Sequence, residues 1–570
     1  MPDAPQGPTE QWSSKAGVIL AVSGCAIGFG NFLRFPGLAA EYGGGAFMVV
    51  YFIALFLLGI PLAWMEWTLG RHVGRYGKHS VIAAYESIAQ YPIWKYLGLS
   101  SMITIMALSM YYLFIEGWTL GYTYHMLMGD LNLSQPQHYK DFFFNFTGQE
   151  SDGSIFQLDK SNVIIFTLLA VSANIYLICK GISKGIEAFC KWSVPLMLGL
   201  ALLLLIRVLT LGTPDATQPE RNVEAGLGYM WNPDKTILEC TDAQGNTSTL
   251  SMLPAKSTAQ QQEQALQTAQ AQHPNSEVKL VRISFAQGLL NPELWIEAVG
   301  QIFFSLSIGV GSVLTYASYV SRKEDIALSS LTANIANSIV EVSIAGMMIV
   351  PASICFLGIT AAAGASGYAL GFEVLPQVFA AMPAGQFFGL CFFVLLFISA
   401  LASSVADITA VTVFLEDYWN LSHRRSLAII ITLILIGTGL VCWFTSDKLI
   451  ALNTLDFFFG TLTLFIACTI MIIVFTRTWG TDKAVEELQE GALIKLPRAL
   501  PFIMKWVTPT MLLGIFVAWL YQTFFEVANQ DIQNIMQGKL GAILPLAWVL
   551  LILLFFIVVI ATSKNTQTKS

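Results

Sequence analysis

The stretch Ser23-Gly24-Cys25-Ala26-Ile27-Gly28-Phe29-Gly30-Asn31-Phe32-Leu33-Arg34-Phe35-Pro36 decides the fold. It lies inside an apolar run, 18–40, of the length that crosses a bilayer, yet it holds three glycines, an amide and an arginine. Each glycine costs a helix about 1 kcal/mol relative to alanine. A helix that breaks at membrane depth exposes backbone groups that lipid cannot satisfy, so such a break lines a polar site. The stretch therefore reads as a broken transmembrane helix built around an ion or a small solute.

Working outward, the 570 residues are 55% hydrophobic and 12% charged, with mean hydropathy +0.62. A soluble domain carries about a quarter charged residues, so the composition excludes that class and indicates a polytopic membrane protein. No cleavable leader is expected, because the first eleven residues are polar and followed by no small-residue cleavage site. The eight cysteines form no disulfide framework, and the six histidines make no metal-binding pair. Spanning runs fall at 17–42, 46–69, 94–128, 163–179, 190–211, 292–320, 327–357, 385–415, 426–444, 455–475, 499–525 and 540–560. Twelve spans put both termini on one side. Arg71, Arg75, Lys78, Lys180, Lys184, Arg322, Lys323, Arg424 and Arg425 share that side, while the short opposite loops hold only Lys140, Lys160, Lys448 and Lys539. Cationic loops stay inside, so both termini are expected to be cytoplasmic.

The long outer loop, 213–291, has a helix-favouring Gln- and Ala-rich middle with hardly any apolar face. It is expected to be a solvated external helix or a mobile flap. Beyond it, Gly300-Gln301-Ile302-Phe303-Phe304-Ser305-Leu306-Ser307-Ile308-Gly309-Val310-Gly311 again puts glycines and hydroxyls into a spanning run. Two interrupted helices in corresponding positions of two halves point to a transporter of inverted repeats with a midplane site. The division is 1–15 cytoplasmic, 16–212 first repeat, 213–291 outer loop, 292–477 second repeat, 478–562 two added helices and 563–570 a cytoplasmic tail.

SGCAIGFGNFLRFP, Glu41-Tyr42-Gly43-Gly44-Gly45, Gly300-Gln301-Ile302-Phe303-Phe304 and Thr315-Tyr316-Ala317-Ser318-Tyr319 resemble a prokaryotic neurotransmitter:sodium symporter, an amino-acid transporter of the LeuT fold. The resemblance implies an all-α membrane protein with twelve helices, five plus five inverted, broken in helices one and six. It implies sodium as the coupling ion and an amino acid as substrate. Gly28, Phe29, Gly30 and Tyr112 would face the carboxylate; Ala26, Phe304, Ser305 and Ser307 would face the amine. Glycine at 28, where monoamine carriers place aspartate, favours a substrate that brings its own carboxylate. Sodium site one would comprise Ala26, Asn31, Ser305, Asn337 and that carboxylate. Oxygen ligands suit a hard cation. Glu341 matches the carboxylate of chloride-independent members, and its bland alternative is an ordinary buried acid. Sodium site two would draw on Gly24, Ile27, Ser399 and Ser403, with Ala402 replacing a customary ligand.

Cys25, Leu108, Phe29 and Val310 would wall the side-chain pocket, where Asp407 replaces an aliphatic residue. Three readings of Asp407 stay open: it meets a cationic or polar substrate side chain, it is protonated or bonded to Ser404 or Thr409, or it compensates for Ala402. The resemblance also implies an outer gate, Arg34 with Asp456, and an inner gate of Trp12, Ser318, Tyr319 and Asp417. Thr9 stands where members carry the arginine that pairs with Asp417, so a weak inner gate is expected. Glu66 and Glu116 are expected to brace the unwound backbones. The expected protein is a sodium-coupled amino-acid symporter of a bacterial cytoplasmic membrane, monomer or loose homodimer, with no nucleic-acid partner and no enzymatic constellation. A non-transporting amino-acid sensor on the same fold is the alternative.

Overall fold

The computed structural model describes residues 11–88, 91, 93–157, 162–241, 247–253, 257–274, 276–364, 367–526 and 529–563. Thr9 and the tail from 564 onward lie outside them. Nine described helices are long and apolar enough to cross a membrane, and one bent pair makes a further span. In that pair, α1 (Lys15–Ala26) and α2 (Gly30–Glu41) meet at 49°. Ser14 caps α1, its side chain accepting from the Gly17 N–H, which satisfies one of the first orphan donors.

Helices α3 (Gly45–Gly74), α4 (Val81–Ile88), α5 (Ile93–Met128), α6 (Val163–Cys179) and α7 (Ile182–Leu209) follow. The fifth apolar run thus begins before Cys190, at a segment with a buried Glu187 that hydropathy alone passes over. The sixth run divides into α8 (Pro292–Ser305) and α9 (Ser312–Ser318). Next come α10 (Ile326–Leu357), the short α11 (Ile359–Ala363), α12 (Gly385–Trp419), α13 (His423–Trp443), α14 (Ser446–Gln489), α15 (Leu500–Phe525) and α16 (Leu540–Thr562). The two broken pairs lie at the centre: α1 packs on α10 and α12, and α9 packs on α3.

The outer loop departs from expectation. The expected helix is present and largely exposed, but it belongs to an α/β unit and is not a free flap. Strands β1 (Lys235–Thr241), β2 (Thr247–Leu253) and β3 (Glu277–Ile283) form an antiparallel sheet in the order β2-β1-β3. The helix Ala259–Gln272 does have an apolar edge: Ala265, Leu266 and Ala269 pack on Leu238, Cys240 and Val278. Three small residues at helical spacing sufficed, because the sheet supplied the rest of the core. Thr258 and Gln261 complete a capping box at the helix start. The loop is fixed to the membrane helices at several places, among them the Tyr229 hydroxyl on the Ala40 carbonyl (3.1 Å). Thr360 of α11 donates to the Thr249 carbonyl (2.7 Å) and accepts its N–H (2.8 Å). Below it, the turn between α2 and α3 is pressed against Met230; Gly44 has φ 76°, and a Cβ there would lie 2.1 Å from the Met230 carbonyl oxygen.

Candidate functional site

The first break is brief. Ile27 leaves the helix (φ −78°, ψ 95°) and the chain re-enters it by Gly30. The freed Gly28 N–H donates to the Asn31 side-chain oxygen (2.9 Å), so the break is capped from its own helix. The second break is wider. Ser307, Gly309 and Gly311 all take positive φ (50°, 82°, 102°), a region that costs a non-glycine residue about 1–2 kcal/mol. Other helices hold it: Glu66 of α3 accepts the Gly309 N–H (2.7 Å), and Ser101 of α5 donates to the Gly309 carbonyl (2.7 Å). Glu66 is therefore the brace expected of it. Glu116 is not: it binds Asn174 (3.1 Å) and Ser404 (3.0 Å), tying α5, α6 and α12 together.

Between the breaks runs a chain of oxygen and amide groups. Asn31 donates to the Asn337 side-chain oxygen (2.9 Å), Asn337 donates to the Ser305 hydroxyl (2.6 Å), and Ser305 donates to Glu341 (2.9 Å). Glu341 also accepts from Tyr51 and Gln301. Asn31, Ser305 and Asn337, three of the four residues expected at the first sodium site, are thus brought together with Glu341, and all are buried, as is Ala26. This donor set of amide, hydroxyl and carbonyl oxygens fits a hard monovalent or divalent cation. The second expected site also assembles in part. The Ser403 hydroxyl donates to the Cys25 carbonyl (2.8 Å) and shares the Ser399 carbonyl (3.2 Å), while the Cβ direction of Gly24 points at Ala402, 3.6 Å away.

Gly28 opens toward the substrate-facing groups: a Cβ there would stand 3.0 Å from the Ser403 hydroxyl and 3.2 Å from that of Tyr112. Phe29 packs on Tyr112 (ring centroids 4.8 Å), and Phe29, Leu108 and Val310 are buried. Asp407 accepts from Ser312 of α9. Neither Ser404 nor Thr409 is its partner, because each is bonded elsewhere.

Above Tyr112 and Phe304, a cavity of about 370 Å³ opens outward. Arg34 and Asp456 both line it without touching. Arg34 instead binds Glu297 (2.9 Å) and Gln301 (3.0 Å), and Asp456 accepts from Tyr111 (2.6 Å). The expected outer pair is not joined in this conformation: Glu297, one turn before Gln301 on α8, is the carboxylate that Arg34 meets. The groups expected at the inner gate meet one another. Trp12 donates to the Tyr316 carbonyl (2.9 Å), and Ser318 meets the His79 ring (2.8 Å), which stacks on Tyr319 (3.9 Å). Asp417 needs no arginine, since it accepts the His79 N–H (3.0 Å), the Ser80 N–H (2.9 Å) and the Ser80 hydroxyl (2.6 Å) at the positive end of α4. The expectation of a weak inner gate did not include these partners, and Thr9, on which it rests, lies outside the described residues. It also missed Glu187, which accepts the Ser13 N–H (2.8 Å) and the Ser13 (2.6 Å) and Ser14 (3.1 Å) hydroxyls and pins the N-terminal segment. The Glu187–Lys191 spacing was the only signal for it.

The chain matches the sequence profile of the sodium:neurotransmitter symporter family over residues 9–213 and 278–564. The interval between those ranges covers β1, β2 and the insertion helix. An uncharacterized sodium-dependent transporter of Haemophilus influenzae is 27% identical over 527 residues, covering 90% of this chain and 98% of the relative. One from Methanocaldococcus jannaschii is 28% identical over 517 residues, 89% of each. The human sodium- and chloride-dependent taurine transporter is 23% identical over 453 residues, 73% of this chain and 62% of that protein. The solved structure of MhsT in complex with L-phenylalanine shares the fold, with a TM-score of 0.69 at 24% identity over 89% of this chain and 99% of that one. Broken central helices, apolar spans and a profile match over most of its length lead to one conclusion: the chain belongs to the sodium:neurotransmitter symporter family, as an integral-membrane, sodium-coupled transporter.

Proposed function

We propose that the protein imports an amino acid together with sodium by alternating access. One observation carries the reading: the two breaks are joined by the Asn31–Asn337–Ser305–Glu341 chain, with Gly28 and Tyr112 beside it. Backbone N–H groups freed at Gly28–Gly30 favour a carboxylate, and unwound carbonyls favour cations. MhsT, solved with L-phenylalanine, supports an amino acid as the substrate class. Ala26, Asn31, Ser305 and Asn337 would hold one sodium, and Gly24, Ile27, Ser399 and Ser403 a second. When bound, sodium supplies the positive charge that a substrate carboxylate completes.

Glu341 supplies a fixed negative charge beside the first ion site, which makes transport independent of chloride, unlike the human taurine relative by its name. The remaining architecture is twelve spans, 16–212 and 292–477 as inverted repeats, two further helices within 478–562, and both termini in the cytoplasm of a bacterial cell. The conformation described is the one that loads from outside: a cavity above the site, and Trp12, His79 and Asp417 closing it below.

The test is reconstitution into proteoliposomes, an inward sodium gradient, and a panel of labelled amino acids, with chloride replaced by gluconate in parallel. Accumulation that collapses with the gradient and survives chloride removal is expected. Sodium-dependent binding without accumulation would instead mark a sensor.

A further inference from the structure

Resting on the amino-acid site above, we propose that the transported amino acid carries a cationic side chain, read by Asp407 at the foot of the site. A carboxylate at membrane depth is costly unless a partner meets it. Here the described partner is a single hydroxyl, Ser312. Among the described residues no Lys, Arg or His stands against Asp407. An ionised carboxylate accepts about four hydrogen bonds, so one serine leaves most of its capacity unused.

Asp407 also faces the site. Cys25 and Tyr112, which flank Gly28, both lie within electrostatic reach of it. The Ser307 hydroxyl meets the Cys25 thiol. Asp407 and Ser307 are only partly covered, although Cys25, Val310, Ser312 and Ser403 around them are buried. Asp407 lies one turn beyond Ser403 on α12, and the Ser403 hydroxyl stands 3.0 Å from where a Gly28 Cβ would be. Residues four apart share a helix face, so the carboxylate adjoins the amino-acid end of the site.

The outer cavity gives independent support. Glu41, Glu293, Glu297 and Asp456 line it with Arg34, and Arg34 is already paired with Glu297. A cleft lined by one sign of charge concentrates ions of the opposite sign. A cationic amino acid would meet attraction in the cavity and a carboxylate at the end of its side chain, whereas an acidic one would be repelled twice.

Arginine and citrulline differ at the side-chain end by charge at nearly equal size, so their uptake ratio tests the inference in proteoliposomes. A charge-assisted hydrogen bond should favour arginine by roughly tenfold to hundredfold, and in Asp407→Asn the ratio should fall to one or below. The wild-type ratio stands by itself if that variant fails to fold. Sodium-driven uptake of citrulline and leucine with arginine excluded overturns the inference and leaves the amino-acid reading intact. So does an Asp407→Asn protein that loses sodium affinity while keeping its arginine preference, because that assigns the carboxylate to an ion. Absence of sodium-driven uptake of every amino acid overturns both.

Discussion

The two broken helices solve one problem in opposite ways. Helix one breaks over a few residues and repairs itself: Asn31 caps Gly28 from one turn away. Helix six breaks over Leu306–Gly311, turns through three positive-φ residues, and borrows Glu66 and Ser101 from neighbouring helices. The cap of the first break moves with its own helix, and the outside bonds there include those of Asn31 to Asn337 and of Gln301 to the Gly30 carbonyl. An externally braced break is fixed to the helices that brace it. Both breaks contribute groups to the expected site, but the first is capped by its own Asn31 and the second by Glu66 and Ser101 of other helices, so substitutions at the caps should fail differently.

The largest effect is expected at the brace. Glu66→Ala leaves the buried Gly309 N–H without an acceptor, a cost of about 1–3 kcal/mol, together with a cavity at the helix six break. Thermal unfolding in detergent should drop by several degrees, and uptake should fall with the folded fraction. A variant of unchanged stability that loses only substrate affinity would erase the contrast. At the first break, Asn31→Ala removes the Gly28 cap and the Asn337 contact. The stranded Gly28 N–H lowers stability as well, but half-saturating sodium of the folded protein should rise roughly tenfold, equivalent to about 1.4 kcal/mol. Gly28→Ala sets a methyl group 3.0–3.2 Å from the Ser403 and Tyr112 hydroxyls. It should weaken amino-acid binding several-fold at constant sodium affinity, measured by equilibrium binding. Ser101→Ala removes one bond of the brace and should cost about 1 kcal/mol, visible only as a small drop in melting temperature.

A control touches neither break. Burial holds the Lys235 ammonium of β1 down to about 7, against an ordinary value of about 10.4. The folded unit therefore binds fewer protons than the unfolded chain between those values, and its stability rises with pH across that window and is flat below about 7. Proteolysis of the insertion should slow from pH 7.5 to 9.5 in the wild type and lose that dependence in Lys235→Met, with uptake unaffected by the substitution.

Much of the membrane part was legible because lipid imposes it: apolar runs must be helices, and clustered glycines with polar neighbours inside them point to breaks that line a site. Asn31, Ser305, Asn337 and Glu341 were legible through their motifs, and the structure links them. What escaped reading was pairing between distant segments. Arg34 matched Asp456 by motif, but Glu297 is nearer in space. Asp417 seemed to lack a partner because its partners are backbone N–H groups, which leave no mark in a sequence. The insertion sheet was hidden because its strands are short and half-buried, and because the apolar edge of its helix consists of Ala265, Leu266 and Ala269.

The central claim is that the two breaks form one site for an amino acid and sodium. If the substrate carboxylate completes the first ion site, the two affinities are linked, and each must change the other by the same factor. Arginine affinity is therefore to be measured by equilibrium binding at low and high sodium, and sodium affinity with and without arginine, on the purified protein. Equal factors of roughly tenfold or more in both directions, collapsing together in Asn31→Ala, are the predicted result. Amino-acid binding that is indifferent to sodium would contradict it.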